Sequence, residues 1–217
     1  MPVSAAPVPA LTILALDPST EVTGIALVQF SPEGKPHRQQ WKAIDARGAA
    51  RGTTLTARIA RIRHTRRALA ACLGAWPWPI DLVAYERDTG RGHGSSEALK
   101  MAAGAYLTLS SLSGLPILPI TRQAACVASG TLFVYRQPAG PTRAEREAKR
   151  QRLKRAVIAW ANESSYNAGL TEGAEGEAIA DALAVAQAAW MQEKARAEKA
   201  QRQRLQPRLT GPRGGKL

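Results

Sequence analysis

From Leu11 to Val28 two apolar runs flank a short polar break. LTILALD ends on Asp17, Pro18-Ser19-Thr20 turns the chain, and a second apolar run starts at Gly24. The pattern predicts two hairpin-connected strands, near 11–17 and 22–30, with a carboxylate closing the first. SPEGKP (31–36) is a turn and QQWKAID (39–45) a third strand, which makes an antiparallel meander. From Thr53 the period becomes helical. Leu55, Ile59, Ile62, Leu69 and Leu73 share one face, and Arg58, Arg61, Arg63, Arg66 and Arg67 are expected on a solvated one. Trp76-Pro77-Trp78-Pro79 breaks that helix, and DLVAYE (81–86) reads as a fourth strand ending on Glu86. The loop RDTGRGHGSS leads into a helix capped by Ser95 or Ser96 and running to about Ser113. LPILPI (115–120) is a fifth strand.

The later pattern is helical. TRQAACVASG predicts a short helix ended by Gly130, and a Pro-Gly linker then precedes a strongly basic helix with an apolar end near Asn162. SSYNAGLTEG is a loop. A final helix starts at about Ala174 and passes Trp190, and from Gln192 the chain becomes a charged tail. The order β-β-β-α-β-α-β-α predicts an α/β fold, a mixed five-stranded sheet with its first three strands antiparallel and helices around it. Residues 1–10 are expected to be a flexible lead, 11–191 the domain, and 192–217 a basic, disordered tail.

Three acids stand where apolar surroundings make a charge expensive. Asp17 and Glu86 end strands, and Asp181 lies in EAIADALAVAQAAW, apolar on nearly every side. Glu177 precedes Asp181 by one helical turn and shares its face. For Asp17 the alternative is a turn-capping role, and for Asp181 a salt bridge to an arginine. Carboxylates converging from two strand ends and a helix suit hard divalent cations, which take oxygen ligands and accept phosphate oxygens. Two such ions about 4 Å apart activate a water and stabilise the leaving oxygen of a phosphodiester.

Charge supplies the partner. Thirty basic residues against 17 acidic ones give a formal +13, which implies a polyanion, nucleic acid first among them. A ribosomal or membrane-surface protein shows the same excess. Cys72 and Cys126 lie far apart without zinc spacing, the three histidines His37, His64 and His93 are scattered, and neither a Walker-type nor a GxGxxG stretch occurs. No run reaches the length of a transmembrane helix, and MPVSAAPVPA lacks the features of a secretory or transit peptide. A soluble cytoplasmic protein without an organic cofactor is expected.

Four blocks carry a family resemblance, in the family's order. LALDPSTEVTGIALV resembles the opening of the RuvC-type Holliday-junction resolvases, with its strand-end Asp-Pro and following Thr-Gly pair. LVAYERDTGRGHGSSEALKMAAGAYLTL resembles their second block, LPILPITRQAACVASGTL with the basic helix their third, and EAIADALAVAQAAW their closing Ala-Asp-Ala-Leu-Ala helix. The resemblance implies an RNase H-like fold over roughly 11–190, a homodimer, and paired nicking of four-way DNA junctions with two Mg²⁺ ions, for which Mn²⁺ substitutes. Asp17, Glu86 and Asp181 would be the catalytic metal ligands, with Glu177 a fourth. The family commonly carries an acid or His three residues before the last Asp, where this chain has Ala178. The segment 133–146 is longer than the family needs and the basic tail is additional, as DNA contacts of a phage or plasmid variant would be. The loop 87–95 would enter the strand-exchange point, with Arg87, Arg91 and His93 as contacts. Lys100 would reach a phosphate, and Lys149, Arg150, Arg152, Lys154 and Arg155 would form a phosphate-binding helix face. Two other functions share these features: a non-cleaving binder of branched nucleic acid, and an RNase H-like nuclease cutting RNA–DNA hybrids. A sugar kinase-like ATPase also opens with strand, Asp and turn, but needs a second domain for which this chain is too short.

Overall fold

β1 (Leu11–Asp17) and β2 (Val22–Phe30) form the antiparallel hairpin that the two apolar runs predict, with Asp17 opposite Gly24. The computed structural model describes residues 10–76, 78–87 and 93–205. β3 (Pro36–Asp45) adds antiparallel to β2, starting three residues earlier than the sequence pattern predicts. β4 (Leu82–Arg87) lies parallel to β1, and β5 (Ile117–Thr121) lies parallel to β4. The sheet order is therefore β3-β2-β1-β4-β5, the mixed five-stranded arrangement expected.

Period-two alternation along β1 divides the core. Ile13 and Ala15 face one layer, and Leu14 and Leu16 face the other; all four are fully buried. The second layer is covered by α1 (Leu55–Ala75) and α2 (His93–Leu107), through Ile62, Leu69, Ala102 and Tyr106. The first is covered by α3 (Arg122–Ala128), α5 (Arg143–Glu163) and α6 (Ala174–Leu205). α4 (Leu132–Arg136) is a short helix between them.

α6 sits against the middle of the sheet, which explains its composition. From Ala178 to Trp190 only Ile179, Asp181 and Gln187 retain partial exposure, and seven alanines let the helix axis come close to the strands. At Gly24 its backbone comes so near that a Cβ would lie 1.8 Å from the Ala178 carbonyl oxygen. Farther along, Trp190 covers the turn at Gly34, a positive-φ position, and stacks on Phe30 with ring centroids 5.9 Å apart.

Several expectations are corrected. Leu55, placed on the apolar face of α1, is 62% exposed at the first residue of the helix, while Arg61, placed on the solvated face, is buried. Its guanidinium donates to the Gly52 carbonyl oxygen at 3.0 Å, so the long side chain folds inward under the preceding loop. α2 ends at Leu107, and Ser110–Leu112 form a separate 3-10 turn instead of continuing to Ser113. α4 (Leu132–Arg136) takes up the start of the segment 133–146, for which the sequence pattern predicts no helix. α6 runs on through 192–205, so the expected disordered tail begins as helix; residues 206–217 and the lead 1–9 lie outside the described residues. Among the described residues no helix is long and apolar enough to cross a membrane.

Candidate metal centre

The parallel register of β1 and β4 sets Leu16 beside Tyr85, so the next residues along, Asp17 and Glu86, stand at the same end of adjacent strands. Asp181 comes from α6, which Gly24 admits against β2 directly opposite Asp17. One carboxylate oxygen from each of Asp17, Glu86 and Asp181 lies within 4.8 Å of the others. All three side chains are partly buried at the edge of an open cleft of about 950 Å³.

The turn after Asp17 is pinned from the opposite layer. The buried Tyr106 of α2 donates its hydroxyl to the Ser19 carbonyl oxygen at 2.8 Å. Thr23 Oγ1 donates to that same oxygen at 3.1 Å and accepts from the Ser19 amide at 3.3 Å. Pro18 is buried within the turn. The Asp-Pro-Ser turn thus aims the carboxylate while its backbone groups are satisfied locally.

A residue that the sequence pattern did not single out completes the cluster. Arg122, the first residue of α3, donates from Nε to Glu86 Oε1 at 2.8 Å and from a terminal nitrogen to Asp181 Oδ2 at 3.1 Å. The ion pair weighed as the alternative for Asp181 therefore exists inside the acid cluster rather than in place of it. Burial, then the neighbouring Asp181 and Glu86 charges, holds the Asp17 carboxyl well above its ordinary range, and Arg122 and Lys154 counteract part of that rise. Burial would depress the Arg122 guanidinium, but the carboxylates of Asp181, Glu86 and Asp17 outweigh it and hold the group firmly protonated. The donor set is all carboxylate oxygen and carries an excess of negative charge, which fits a hard divalent cation and no thiophilic one.

Glu177 lies elsewhere in the cleft. Its carboxylate is ion-paired with Lys154 of α5, and it is outside the three-acid cluster. Lys154, expected as a free phosphate contact, is thus already committed to an acid.

The other expected contacts divide. Arg87, at the end of β4, Lys100 of α2 and Arg150 of α5 line the cleft together with Lys154. Lys149, Arg152 and Arg155 are not among its lining residues, because successive residues of a helix point about 100° apart and five positions cannot share one face. Lys149 Nζ instead lies 5.9 Å from the ring centre of Tyr135, which does line the cleft. Arg91 and the side chain of His93 lie outside the described residues. The small residues Ala103 and Gly104 of α2 face the cleft as well.

No protein-family model and no curated protein matches the sequence. Solved structures do match in three dimensions. Thermus thermophilus RuvC in complex with a Holliday junction substrate superposes with a TM-score of 0.55 at 14% identity, over 85% of this chain and 96% of that one. A second Thermus thermophilus RuvC structure gives 0.54 at 16% identity, over 86% and 98%. The yeast mitochondrial Holliday junction resolvase Ydc2 gives 0.52 at 10% identity, over 92% and 87%. At these identities the likeness establishes the fold alone, the RNase H-like fold that the RuvC structures share.

Proposed function

We propose that this chain, with its RuvC-like fold, is a divalent-metal-dependent endonuclease that recognises four-way DNA junctions and nicks them in pairs as a homodimer. The observation that carries this reading is the convergence of Asp17, Glu86 and Asp181 within 4.8 Å in a cleft that Arg87, Lys100 and Arg150 also line. A phosphodiester needs both parts. The basic wall neutralises backbone phosphates, and the acids would hold Mg²⁺, or Mn²⁺ in its place. When bound, two such ions polarise the phosphoryl oxygens, lower the pKa of a water and stabilise the leaving oxygen.

The chain's own residues do the positioning. The Tyr106 hydroxyl and Thr23 fix the turn that aims Asp17, the β1–β4 register fixes Glu86 beside it, and Gly24 sets the depth of Asp181. Residues 87–95, between the end of β4 and the start of α2, would supply contacts at the branch point through Arg87, Arg91 and His93. Lys149, Arg152 and Arg155, off the cleft wall, would meet the flanking duplex arms.

One gel tests the proposal: a four-way junction, a plain duplex and an RNA–DNA hybrid, each incubated with Mg²⁺ and with EDTA. Symmetric nicks in the junction alone, lost in EDTA, are expected. Cleavage of the hybrid instead would reassign the substrate, and binding of the junction without cleavage in Mg²⁺ or Mn²⁺ would make the protein a binder. Sedimentation of the protein with and without junction tests the dimer.

A further inference from the structure

Arg122 is paired with two of the three carboxylates that a divalent cation would need. Its two donor nitrogens take one oxygen each of Glu86 and Asp181, the same carboxylates assigned to metal. An oxygen facing a guanidinium at 2.8–3.1 Å has that lone pair engaged, so the arginine and a divalent ion compete for the acids.

We propose that Arg122 is the resident counter-cation of this centre, exchanged for divalent ions as substrate phosphate enters and paired with that phosphate afterwards. The proposal rests on the metal-dependent nuclease reading above. Three arguments support it. First, the exchange needs only a side chain to move, because the backbone of Arg122 is fixed where α3 starts. Thr121 caps that helix by accepting from the Ala124 amide at 3.2 Å, and Ala125 and Cys126 are buried. Second, the side chain has somewhere to go. It is 34% exposed and lines the same cleft as Arg150 and Lys100, where a phosphate would lie. Third, the charges couple the two events. A divalent ion brings twice the charge to the carboxylates and displaces the guanidinium, which is then left partly buried beside the ions and Lys154. That arrangement is unfavourable until an anion arrives, and a phosphodiester offers two oxygens to the guanidinium fork. Metal therefore binds weakly to the free protein and tightly to the complex, and by linkage metal strengthens junction binding by the same factor.

The test measures metal affinity, not turnover. Mn²⁺ is titrated calorimetrically into the wild type, Asp17→Asn, Arg122→Gln, Arg122→Lys and the double variant Asp17→Asn/Arg122→Gln, all without nucleic acid. Arg122→Gln is expected to bind Mn²⁺ at least tenfold more tightly than wild type. Arg122→Lys, which keeps the charge without the two-pronged contact, is expected to gain about threefold, and the double variant to lose the heat. A labelled junction then reports the Ca²⁺ concentration for half-maximal tightening. The ratio between that value and the free protein's Ca²⁺ affinity should shrink at least threefold in Arg122→Gln. Mn²⁺ affinity in both Arg122 variants equal to or weaker than wild type would overturn the exchange while leaving the metal centre standing, provided that Asp17→Asn abolishes the wild-type heat. An unchanged ratio would overturn the coupling. Absence of Mn²⁺ binding in every form, with and without junction, would sink the metal centre and the proposal with it.

Discussion

The carbonyl oxygen of Ala178 lies 1.8 Å from the point that a Cβ on Gly24 would occupy. This contact sets the distance between α6 and the sheet, and hence between Asp181 and Asp17, since Asp17 pairs with Gly24 across the hairpin and Asp181 follows Ala178 by one turn. Ala178, three residues before Asp181, is buried and packs against Gly24, which has no side chain to yield.

Gly24→Ala is therefore expected to be costly out of proportion to one methyl group. The obstacle is backbone on both sides, so α6 must move. A loss of about 1–3 kcal/mol is expected for this overpacking, read from urea unfolding midpoints. The displacement also carries Asp181 away from Asp17, so Mn²⁺ affinity should fall even at temperatures where the variant stays folded. A variant with wild-type metal affinity would show that α6 depth does not set the centre.

Tyr106→Phe tests the pin on the Asp-Pro-Ser turn. It removes one of two donors to the Ser19 carbonyl oxygen, the other being Thr23 Oγ1. The variant should lose about 1 kcal/mol of stability, because the oxygen keeps a partner. Nicking should slow more than stability falls, while junction affinity stays unchanged. An equal effect on binding and turnover would assign Tyr106 to packing alone.

Asp17 gives a pH prediction with a definite sign. Its native carboxyl is held above the ordinary value of 3.8 by burial, then by Asp181 and Glu86. The folded state thus binds the proton more tightly than the unfolded chain does. Stability contributed by the protonated group is present below 3.8 and is lost as pH rises through the raised native value. Asp17→Asn removes that loss. In EDTA its melting temperature should exceed that of wild type by a margin that widens as pH rises from the ordinary carboxyl value of 3.8 through the raised native one. At this chain length each 1 kcal/mol moves the midpoint by about 2–4 °C. The same variant should bind a junction and cut it on the order of 100-fold more slowly or worse, since one of three carboxylates is gone. Full cleavage in Mg²⁺ would remove Asp17 from the centre.

Much of this site was legible because each acid interrupts an apolar pattern. A strand that ends on Asp17, another that ends on Glu86 and a helix that is apolar around Asp181 are departures that single residues make visible. Arg122 broke no pattern. Thr-Arg-Gln after a strand is an ordinary helix start, and only the register of β5 beside β4 points the guanidinium back at Glu86. Arg61 escaped for the opposite reason: its charge marked it as solvated, although its long stem and the Gly52 carbonyl let it lie inside. The extent of α6 was in the sequence after all. QEKARAEKAQRQRL consists of strong helix formers, and charge alone made it look like a tail.

Glu177 separates position from role. It shares the cleft with the three acids but is ion-paired with Lys154. Glu177→Ala should leave the Mg²⁺ midpoint for cleavage unchanged within about twofold and free the ammonium to meet DNA, raising junction affinity and the salt slope by about one phosphate contact. A Mg²⁺ midpoint raised about tenfold or more would restore Glu177 as a ligand, since that is the scale on which metal-site partners act.

The basic helix α5 provides the sharpest test of where DNA lies. Arg150 lines the cleft, whereas Arg152, two residues on and so about 200° around the helix, does not. If phosphate runs through the cleft, Arg150→Ala should weaken junction binding by several-fold at moderate salt, similarly for every junction sequence, and lower the slope of log affinity against log salt by about one. Arg152→Ala should then change the slope by clearly less, because an arm contact beyond the cleft would be longer and more screened. Both variants change formal charge equally, so net charge cannot account for a difference between them. Equal slopes for the two would mean that binding follows the overall charge of α5, and a larger effect at Arg152 would place the duplex on its outer face, away from Asp17, Glu86 and Asp181.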